Sequence, residues 1–264
     1  MTGPMLQNKV AVIYGAGGAI GGAVARAFAR EGAKVFLTGH RRAPVEAVYN
    51  DIVSAGGSAE GAEFDALDEQ AIEKHLQSVI DSAGRVDISF NAVGIPNAGI
   101  LGVPLVELDA EQFSLPIAAY TRSYFLTARL AARRMVASKS GVIMTVTAIP
   151  ARTGTPLNGG YGPALAAKEA LTRDLSAELA PQGIRVVNLR PHGMPETPMM
   201  KELHGLKASN TTYEQFQGYL AGMSHSKRIM MLTEVANVAV FMASDRASGM
   251  TGTTVNLTMG SVAD

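Results

Sequence analysis

Cysteine is absent from the 264 residues of this chain. Disulfide bonds, thiolate metal ligands and cysteine nucleophiles are therefore all excluded. A net charge is also absent, because 23 basic residues balance 23 acidic ones. Nucleic acid and anionic membranes attract proteins with a basic excess, so we expect neither as a partner.

Long hydrophobic runs and targeting signals are missing as well. The longest uncharged run extends from Ile88 to Val106, but two asparagines and two prolines interrupt it. We interpret it as a buried strand followed by a loop, not as a membrane span. The first residues lack the charged-then-apolar pattern of a signal peptide, so we expect a cytoplasmic protein. The histidines show no ligand spacing, and we predict no metal site.

Short apolar runs alternate with longer amphipathic stretches along the chain. The apolar runs predict buried strands at Val10–Tyr14, Val35–Thr38, Ala62–Phe64, Val86–Ala92, Val142–Thr147, Ile184–Leu189 and Thr253–Leu257. The amphipathic stretches predict helices at Ile20–Arg30, Val45–Ala55, Glu69–Ser82, Glu111–Val136, Ala164–Ala180 and Glu234–Ala243. This alternation indicates an α/β fold: one Rossmann-like domain over residues 1–264, with a doubly wound, mostly parallel sheet of about seven strands.

A glycine-rich turn connects the first predicted strand to the first predicted helix. It contains Gly15, Gly17, Gly18 and Gly21, with Ile20 already in the helix. Glycines allow backbone N–H groups to approach a pyrophosphate, and the helix N-terminus adds the positive end of its dipole. The turn therefore predicts a dinucleotide site, and the alternative is a packing turn without a ligand.

The residues after the second predicted strand indicate which dinucleotide binds. His40, Arg41 and Arg42 stand there, and no carboxylate lies between residues 32 and 44. An NAD site would place an acid near this point for the ribose 2′-hydroxyl, whereas arginine suits the 2′-phosphate of NADP(H). We predict NADP(H), with two solvated loop arginines as the alternative. Asp65 and the adjoining Ala66 are predicted at the adenine, or Asp65 caps the next helix.

From end to end, the chain resembles the short-chain dehydrogenase/reductase family. Four segments carry the resemblance: the glycine turn, an N-N-A-G-like stretch, the helix that begins with a tyrosine, and a P-G-x-x-x-T-like stretch. They are residues 14–21, 91–94, 161 onward and 193–197. The resemblance implies that Asn91, Ala92, Gly94, Gly193 and Thr197 contact the cofactor.

The resemblance also implies a catalytic set of Ser, Tyr, Lys and Asn, which this chain retains only in part. Tyr161 matches the tyrosine, but Ala148 stands where the serine is expected and Leu165 where the lysine is expected. Tyr120 stands at the asparagine position. The nearest lysine after the tyrosine is Lys168, at a spacing similar to that of some enoyl reductases of the superfamily.

The roles of the remaining residues follow from their chemistry. A phenol has a pKa of about 10, so Tyr161 is predicted to be the proton donor of a reduction. Lys168 either reaches back to replace the missing lysine or is a solvated helix residue, and we expect only a modest effect from its removal. Tyr120 is either a second phenol at the site or packed between helices. His192 either contacts the nicotinamide or substrate, or is structural or exposed.

The segment Met194–Met231 interrupts the alternation with two short helical pieces and six methionines. The family places its substrate lid there, and thioether side chains suit an adaptable apolar pocket, although they also fill gaps in a small helical cap. We expect an NADP(H)-dependent reductase of a bulky apolar carbonyl or activated alkene. The alternative is an NADP(H)-binding protein without redox turnover.

We also expect a homodimer or homotetramer. In the family, two long helices commonly pair across a twofold axis, and here they correspond to Glu111–Val136 and Ala164–Ala180. The first of these helices carries Tyr120, Tyr124, Phe125 and Leu130, more apolar surface than one sheet face needs.

Overall fold

The computed structural model describes residues 3–263. The strands are β1 (Val10–Tyr14), β2 (Lys34–Gly39), β3 (Ser58–Glu63), β4 (Ile88–Asn91), β5 (Gly141–Val146), β6 (Ile184–Pro191) and β7 (Thr253–Leu257). They form one parallel sheet in the order β3-β2-β1-β4-β5-β6-β7. The predicted doubly wound α/β fold is therefore confirmed.

Helices connect the strands as predicted. They are α1 (Ala19–Arg30), α2 (Arg42–Ser54), α3 (Glu69–Ala83), α4 (Ala110–Met135), α5 (Tyr161–Leu179), α6 (Pro198–Lys207), α7 (Tyr213–Met223) and α8 (Leu232–Ala243). Helices α6 and α7 are the two short pieces expected between Met194 and Met231. All six longer predicted helices are confirmed, with ends that differ by at most three residues.

The helices cover both faces of the sheet. On one face α1 packs between α2 and α8, and on the other face α4 packs between α3 and α5. Each layer closes its own apolar core against the sheet. Because every connection crosses over from one parallel strand to the next, all strand carboxyl ends meet at one edge.

The third strand differs from the prediction. Ala62–Phe64 was expected to be buried, but β3 runs over Ser58–Glu63 and is largely exposed. The reason is its place in the sheet, because β3 pairs only with β2 and forms an edge of the sheet. Edge strands bury less of their side-chain surface and tolerate polar residues such as Glu60 and Glu63.

The run from Ile88 to Val106 begins as β4 and continues without regular helix or strand, as predicted. Among residues 3–263, no helix is long and apolar enough to cross a membrane.

The surface of α4 is less apolar than its sequence indicates. Tyr120, Tyr124 and Leu130 were counted as available for subunit contacts, but all three are buried within their own chain. Phe125 remains 41% exposed, and Leu115, about three turns earlier in α4, is exposed as well. The expectation of a homo-oligomer therefore rests on these two side chains and remains a prediction.

The lid region contains a small apolar cluster of its own. Met200 of α6 packs with Phe216 and Leu220 of α7. Met194 and Met230 are buried, whereas Met223 and Met231 are exposed. Gap-filling therefore accounts for some of the methionines, and the exposed ones leave a flexible apolar surface on the lid.

Candidate active site

The strand order reverses between β1 and β4, which makes that part of the carboxyl edge the natural ligand crevice of the sheet. The turn after β1 is built for close approach there. Gly15 has φ +75°, a conformation that favours glycine, and a Cβ at this position would lie 2.5 Å from the carbonyl oxygen of Ala92. A Cβ at Gly21 would collide with the carbonyl oxygen of Gly15, so the first turn of α1 can lie directly on the loop.

The N-terminus of α1 is electrostatically open. Gly18 is the N-cap residue and offers no side-chain cap, and the first turn holds no acidic residue. The positive end of the helix dipole is therefore not neutralised by the helix itself. A pyrophosphate is compatible with this open helix N-terminus, and the glycines at positions 15 and 21 let the loop pack closely on β4 and α1.

The residues after β2 are exposed, and the two arginines differ in their contacts. Arg42 donates from Nε to Glu46 Oε1 at 2.5 Å, and this hydrogen bond raises the pKa of its guanidinium. Arg41 is the N-cap residue of α2, and its side chain has no partner among residues 3–263. His40 is exposed beside it. Arg41 can meet a phosphate directly, whereas Arg42 must first exchange Glu46.

Asp65 does not cap the following helix, and that alternative is wrong. The cap of α3 is Asp68, whose Oδ1 accepts from the backbone N–H groups of Gln70 at 2.9 Å and Ala71 at 3.1 Å. Asp65 Oδ1 instead accepts from Leu67 N at 2.9 Å and so fixes the loop that follows β3. Ala66 within that loop is buried, and the adenine contact of Asp65 and Ala66 remains a prediction.

The end of β4 contains a buried asparagine whose hydrogen bonds are incomplete. Asn91 Nδ2 donates to Thr127 Oγ1 at 3.1 Å, while its Oδ1 has no partner among residues 3–263. Ala92 N donates to the carbonyl oxygen of Tyr14, which continues the β1–β4 pairing by one residue. Space is open around Gly94, where an added Cβ would meet nothing within 4 Å. These features are compatible with the cofactor contacts expected of this segment.

The segment after β6 is more structural than predicted. Thr197 is the N-cap of α6, and its hydroxyl donates to the carbonyl oxygen of Met194 at 2.9 Å. His192 is buried, its backbone N–H donates to Leu257 O, and burial lowers the pKa of its ring. Its Nε2 has no partner among residues 3–263, so an uncharged imidazole with a free nitrogen lies just before Gly193. Burial excludes the exposed alternative for His192, whereas its contact with nicotinamide or substrate remains a prediction, as does a cofactor contact through Gly193 or Thr197.

Three sequence-predicted catalytic residues come together at this edge. The rings of Tyr120 and Tyr161 meet edge to face with centroids 5.8 Å apart. Lys168 Nζ lies 5.7 Å from the centroid of the Tyr120 ring and the same distance from that of Tyr124. The hydroxyl of Tyr120 accepts from Ile95 N at 3.5 Å, in the loop that follows β4.

Burial sets the protonation states in this cluster. It raises the pKa values of Tyr161 and Tyr120, and each phenol is therefore neutral around pH 7. The phenol of Tyr120 raises the pKa of Tyr161 further. Burial also lowers the pKa of the Lys168 ammonium to about 7.

The solvated alternative for Lys168 is wrong. The residue is only 1% exposed, and its Nζ donates to the carbonyl oxygen of Val146 at the end of β5, 3.0 Å away. Within residues 3–263, no hydrogen bond joins it to Tyr161. Leu165, one turn earlier on the same face of α5, is also buried. The amphipathic pattern of α5 does not predict the burial of Lys168. A buried ammonium at the interface of α5 and α4 needs aromatic rings and a carbonyl oxygen from other elements to stabilise it.

The lid is attached through α6 to two loops at the carboxyl edge of the sheet. Glu202 Oε2 accepts from Asn97 Nδ2 at 3.0 Å, and Lys207 Nζ donates to Asn158 Oδ1 at 2.8 Å and to Pro156 O at 3.0 Å. Partial burial lowers the pKa of Lys207 to about 8. The loops after β4 and β5 are thus both held by the same helix.

A buried ion pair lies below the site, and the sequence does not reveal it. Arg190, near the end of β6, and Glu169 of α5 form two hydrogen bonds, at 2.8 and 3.0 Å. One signal was present, because an arginine follows directly on a strand predicted to be buried, and a buried charge needs a partner. The sequence did not indicate which of 23 acidic residues that partner is.

Comparison with known proteins places the whole chain among oxidoreductases. Residues 15–261 match the family model described as Enoyl-(Acyl carrier protein) reductase. An uncharacterized oxidoreductase of Bacillus subtilis, YxbG, is 32% identical over 94% of this chain and 88% of its own length. The 3-oxoacyl-[acyl-carrier-protein] reductase FabG of Escherichia coli is 30% identical over 96% of this chain and 97% of its own. The structure of an NAD+-bound xylitol dehydrogenase superposes with a TM-score of 0.87 at 26% identity, covering 95% of this chain and 97% of that one.

Proposed function

The chain belongs to the short-chain dehydrogenase/reductase family of oxidoreductases, and we propose that it is an NADP(H)-dependent reductase with Tyr161 as the proton donor. Its substrate is a bulky apolar carbonyl compound or an activated alkene. The observation that carries this proposal is the position of Tyr161, neutral and edge-on to a second phenol, at the same sheet edge as the glycine-rich turn.

The choice of NADP(H) follows from charge. An unpaired guanidinium on Arg41 and a second one on Arg42 stand where an NAD site would place a carboxylate. A guanidinium recognises a phosphate through paired hydrogen bonds. Solved relatives include an NAD+-bound enzyme, so the fold alone does not decide between the two nucleotides, and Arg41 and Arg42 carry the preference for NADP(H).

The nicotinamide, when bound, supplies the hydride that adds to the substrate carbon. Tyr161 then gives its phenolic proton to the oxygen on which negative charge develops. The raised pKa of Tyr161 suits this direction, because alcohol oxidation would need the phenolate, which burial disfavours. Tyr120 offers a second hydroxyl that can donate to the same oxygen. Lys168 helps to hold the Tyr120 ring in place, because its Nζ lies against that ring.

The substrate class is supported by the lid and by the relatives. The methionine-rich lid carries exposed thioethers, and a flexible apolar surface adapts to bulky substrates. The family description names an enoyl reductase, and the Escherichia coli relative is named as a 3-oxoacyl reductase. An enoyl and a 3-oxoacyl group are an activated alkene and a ketone, the two classes proposed.

A second candidate is an NADP(H)-binding protein without redox turnover. It is favoured by Ala148 and Leu165, which place no hydroxyl and no ammonium where the family resemblance implies a serine and a lysine. An oxyanion donor is worth about 10²–10³ in rate, so the chain is slow at best if Tyr120 does not replace the missing serine.

NADPH oxidation separates the two candidates. Purified protein is incubated with NADPH and the N-acetylcysteamine thioesters of a 3-oxoacyl and a 2-enoyl chain, with quinones and bulky aryl ketones beside them. We expect turnover of at least one class, and Tyr161→Phe should lower kcat about 10²–10⁴-fold while NADPH affinity stays unchanged. Tyr49→Phe, a tyrosine of α2, is the matched control. NADPH binding without oxidation across the panel would favour the second candidate, and full activity of Tyr161→Phe on a true substrate would exclude this mechanism.

A further inference from the structure

A pair of fully buried charges lies beneath the site and has no part in the mechanism above. Arg190 is 1% exposed and Glu169 is 3% exposed. Arg190 Nε donates to Glu169 Oε1 at 2.8 Å, and Nη2 donates to Oε2 at 3.0 Å, so the guanidinium and the carboxylate meet through two parallel hydrogen bonds. This geometry fixes the mutual orientation of both groups more tightly than a single contact does.

The pair is part of a larger polar network. Thr147 Oγ1 donates to Glu169 Oε1 at 3.1 Å and accepts from Asn188 Nδ2 at 2.8 Å. The same amide of Asn188 reaches Thr254 Oγ1 at 3.2 Å. One helix, α5, is thereby connected to three neighbouring strands, β5, β6 and β7.

Stability alone does not account for such a pair. Taking two charges out of water costs about as much as their attraction returns, and apolar replacements of similar volume are often neutral or stabilising. A helix that packs on a sheet could be held by apolar contacts alone. The pair differs from apolar packing because it specifies one register of α5 relative to the strand ends.

Three members of the network lie close in sequence to residues of the candidate site. Glu169 follows Lys168 directly, Thr147 follows the residue whose carbonyl oxygen receives Lys168, and Arg190 precedes His192 by two positions. Tyr161 lies about two turns before Glu169 on the same helix.

We propose that Glu169 and Arg190 are positioning residues, which hold α5 against the ends of β5 and β6 so that Tyr161 and Lys168 keep their places. This inference rests on the proposed function for its catalytic consequence. Its structural consequence, the placement of Lys168, does not depend on any substrate.

The test uses an apolar replacement of the whole pair. Glu169→Leu combined with Arg190→Met keeps the volume and removes both charges, and the urea midpoint of the double variant should equal or exceed that of the parent. Glu169→Leu alone leaves the guanidinium without its carboxylate and should lower the midpoint strongly. Should the single variant fail to fold, Glu169→Gln, which keeps the shape and one acceptor, replaces it. The matched control is Lys9→Met with Asp245→Leu, an exposed pair at the opposite edge of the sheet.

Two readouts then separate positioning from packing. In the folded double variant, the pH dependence of stability that Lys168 causes should weaken or move, because the ammonium no longer sits under Val146 O. On a substrate that the parent reduces, kcat should fall ~10²-fold with little change in the KM for NADPH, the usual result of a small misplacement. Arg190→Lys, which keeps the charge but loses the paired geometry, should recover only part of kcat.

Several results would overturn the inference. A double variant that keeps the parent titration of Lys168 and the parent kcat would make the pair an element of packing only. A double variant as unstable as the single one would make it a stability element. If no substrate is ever reduced, the proposed function fails, but the midpoint and the Lys168 titration still decide whether the pair positions α5.

Discussion

The pKa of the buried Lys168 ammonium can be measured without knowledge of the substrate. Its Nζ donates to Val146 O, faces the rings of Tyr120 and Tyr124, and forms no ion pair within residues 3–263. Burial lowers its pKa from 10.5 to about 7. Lys168→Met keeps an unbranched apolar stem of similar length and removes the charge, so any effect that depends on the proton disappears with it.

The magnitude follows from proton linkage. In the unfolded chain the lysine keeps its proton up to a pKa of 10.5, whereas in the folded chain it releases the proton near pH 7. Between these values the unfolded state binds more protons, so the stability of the folded protein rises with pH, and the cost of burial is fully present below pH 7. From pH 7 to pH 9 the parent should gain about 2 kcal/mol that the methionine variant does not gain.

Urea unfolding of parent and variant at pH 7, 8 and 9, at fixed ionic strength, measures this difference. Burial also lowers the pKa values of His75 and Lys207, but these groups contribute equally to both proteins and cancel. Lys74→Met is the matched control, because Lys74 is an exposed lysine of α3, and its difference from the parent should stay flat across the pH range.

Parallel pH dependence of parent and Lys168→Met would refute the reasoning. It would mean that the ammonium is hydrated in solution and keeps its ordinary pKa. Lys168 would then not be held between Val146 and the two tyrosine rings. A variant that is merely less stable by the same amount at every pH would lead to the same conclusion.

Three further predictions concern the nucleotide, the glycine turn and assembly. Arg41→Ala with Arg42→Ala should weaken NADPH binding at least ~10-fold in fluorescence titrations, since a charged hydrogen bond is worth about 1.5–3 kcal/mol. NADH binding should stay unchanged. Equal affinity of the parent for both nucleotides would contradict this prediction. Gly15→Ala, at a positive φ against a backbone carbonyl, should cost about 1–3 kcal/mol in urea unfolding and abolish nucleotide binding. Leu115→Asp with Phe125→Asp should convert an oligomer to monomers by light scattering, and a monomeric parent at micromolar concentration would remove the basis for this expectation.

The fold could be predicted from the sequence because its signals are local and repeated. Apolar runs such as Val10–Tyr14 are long enough to be strands buried on both faces, and amphipathic stretches separate them. The edge strand β3 was the exception, because its order in the sheet depends on long-range pairing. Asp65 and Asp68 both fit the sequence pattern of a helix N-cap. Only the backbone geometry shows that Asp68 caps α3.

The site was predictable only where glycine or a missing acid limits the options. Residue type and position alone indicate the turn at Gly15 and the arginine pair. The depth of Lys168 and the pairing of Arg190 with Glu169 are not, because each depends on which groups from distant elements face the side chain. An alignment gives the position of the lysine Cα on the helix. The lysine side chain is long, so its ammonium can lie several ångströms from that Cα.

This distinction changes what the missing family lysine implies. Leu165 and Lys168 lie three residues apart on the same face of α5, and both are buried. The ammonium therefore enters the same layer one turn further along, but it donates to a strand carbonyl and faces Tyr120, with no hydrogen bond to Tyr161 within residues 3–263. A direct substitute would lower the pKa of Tyr161 and aid alcohol oxidation, whereas here burial and Tyr120 raise that pKa. If the ammonium acts through Tyr120 as proposed, Tyr161 stays protonated near pH 7, which favours carbonyl reduction over alcohol oxidation.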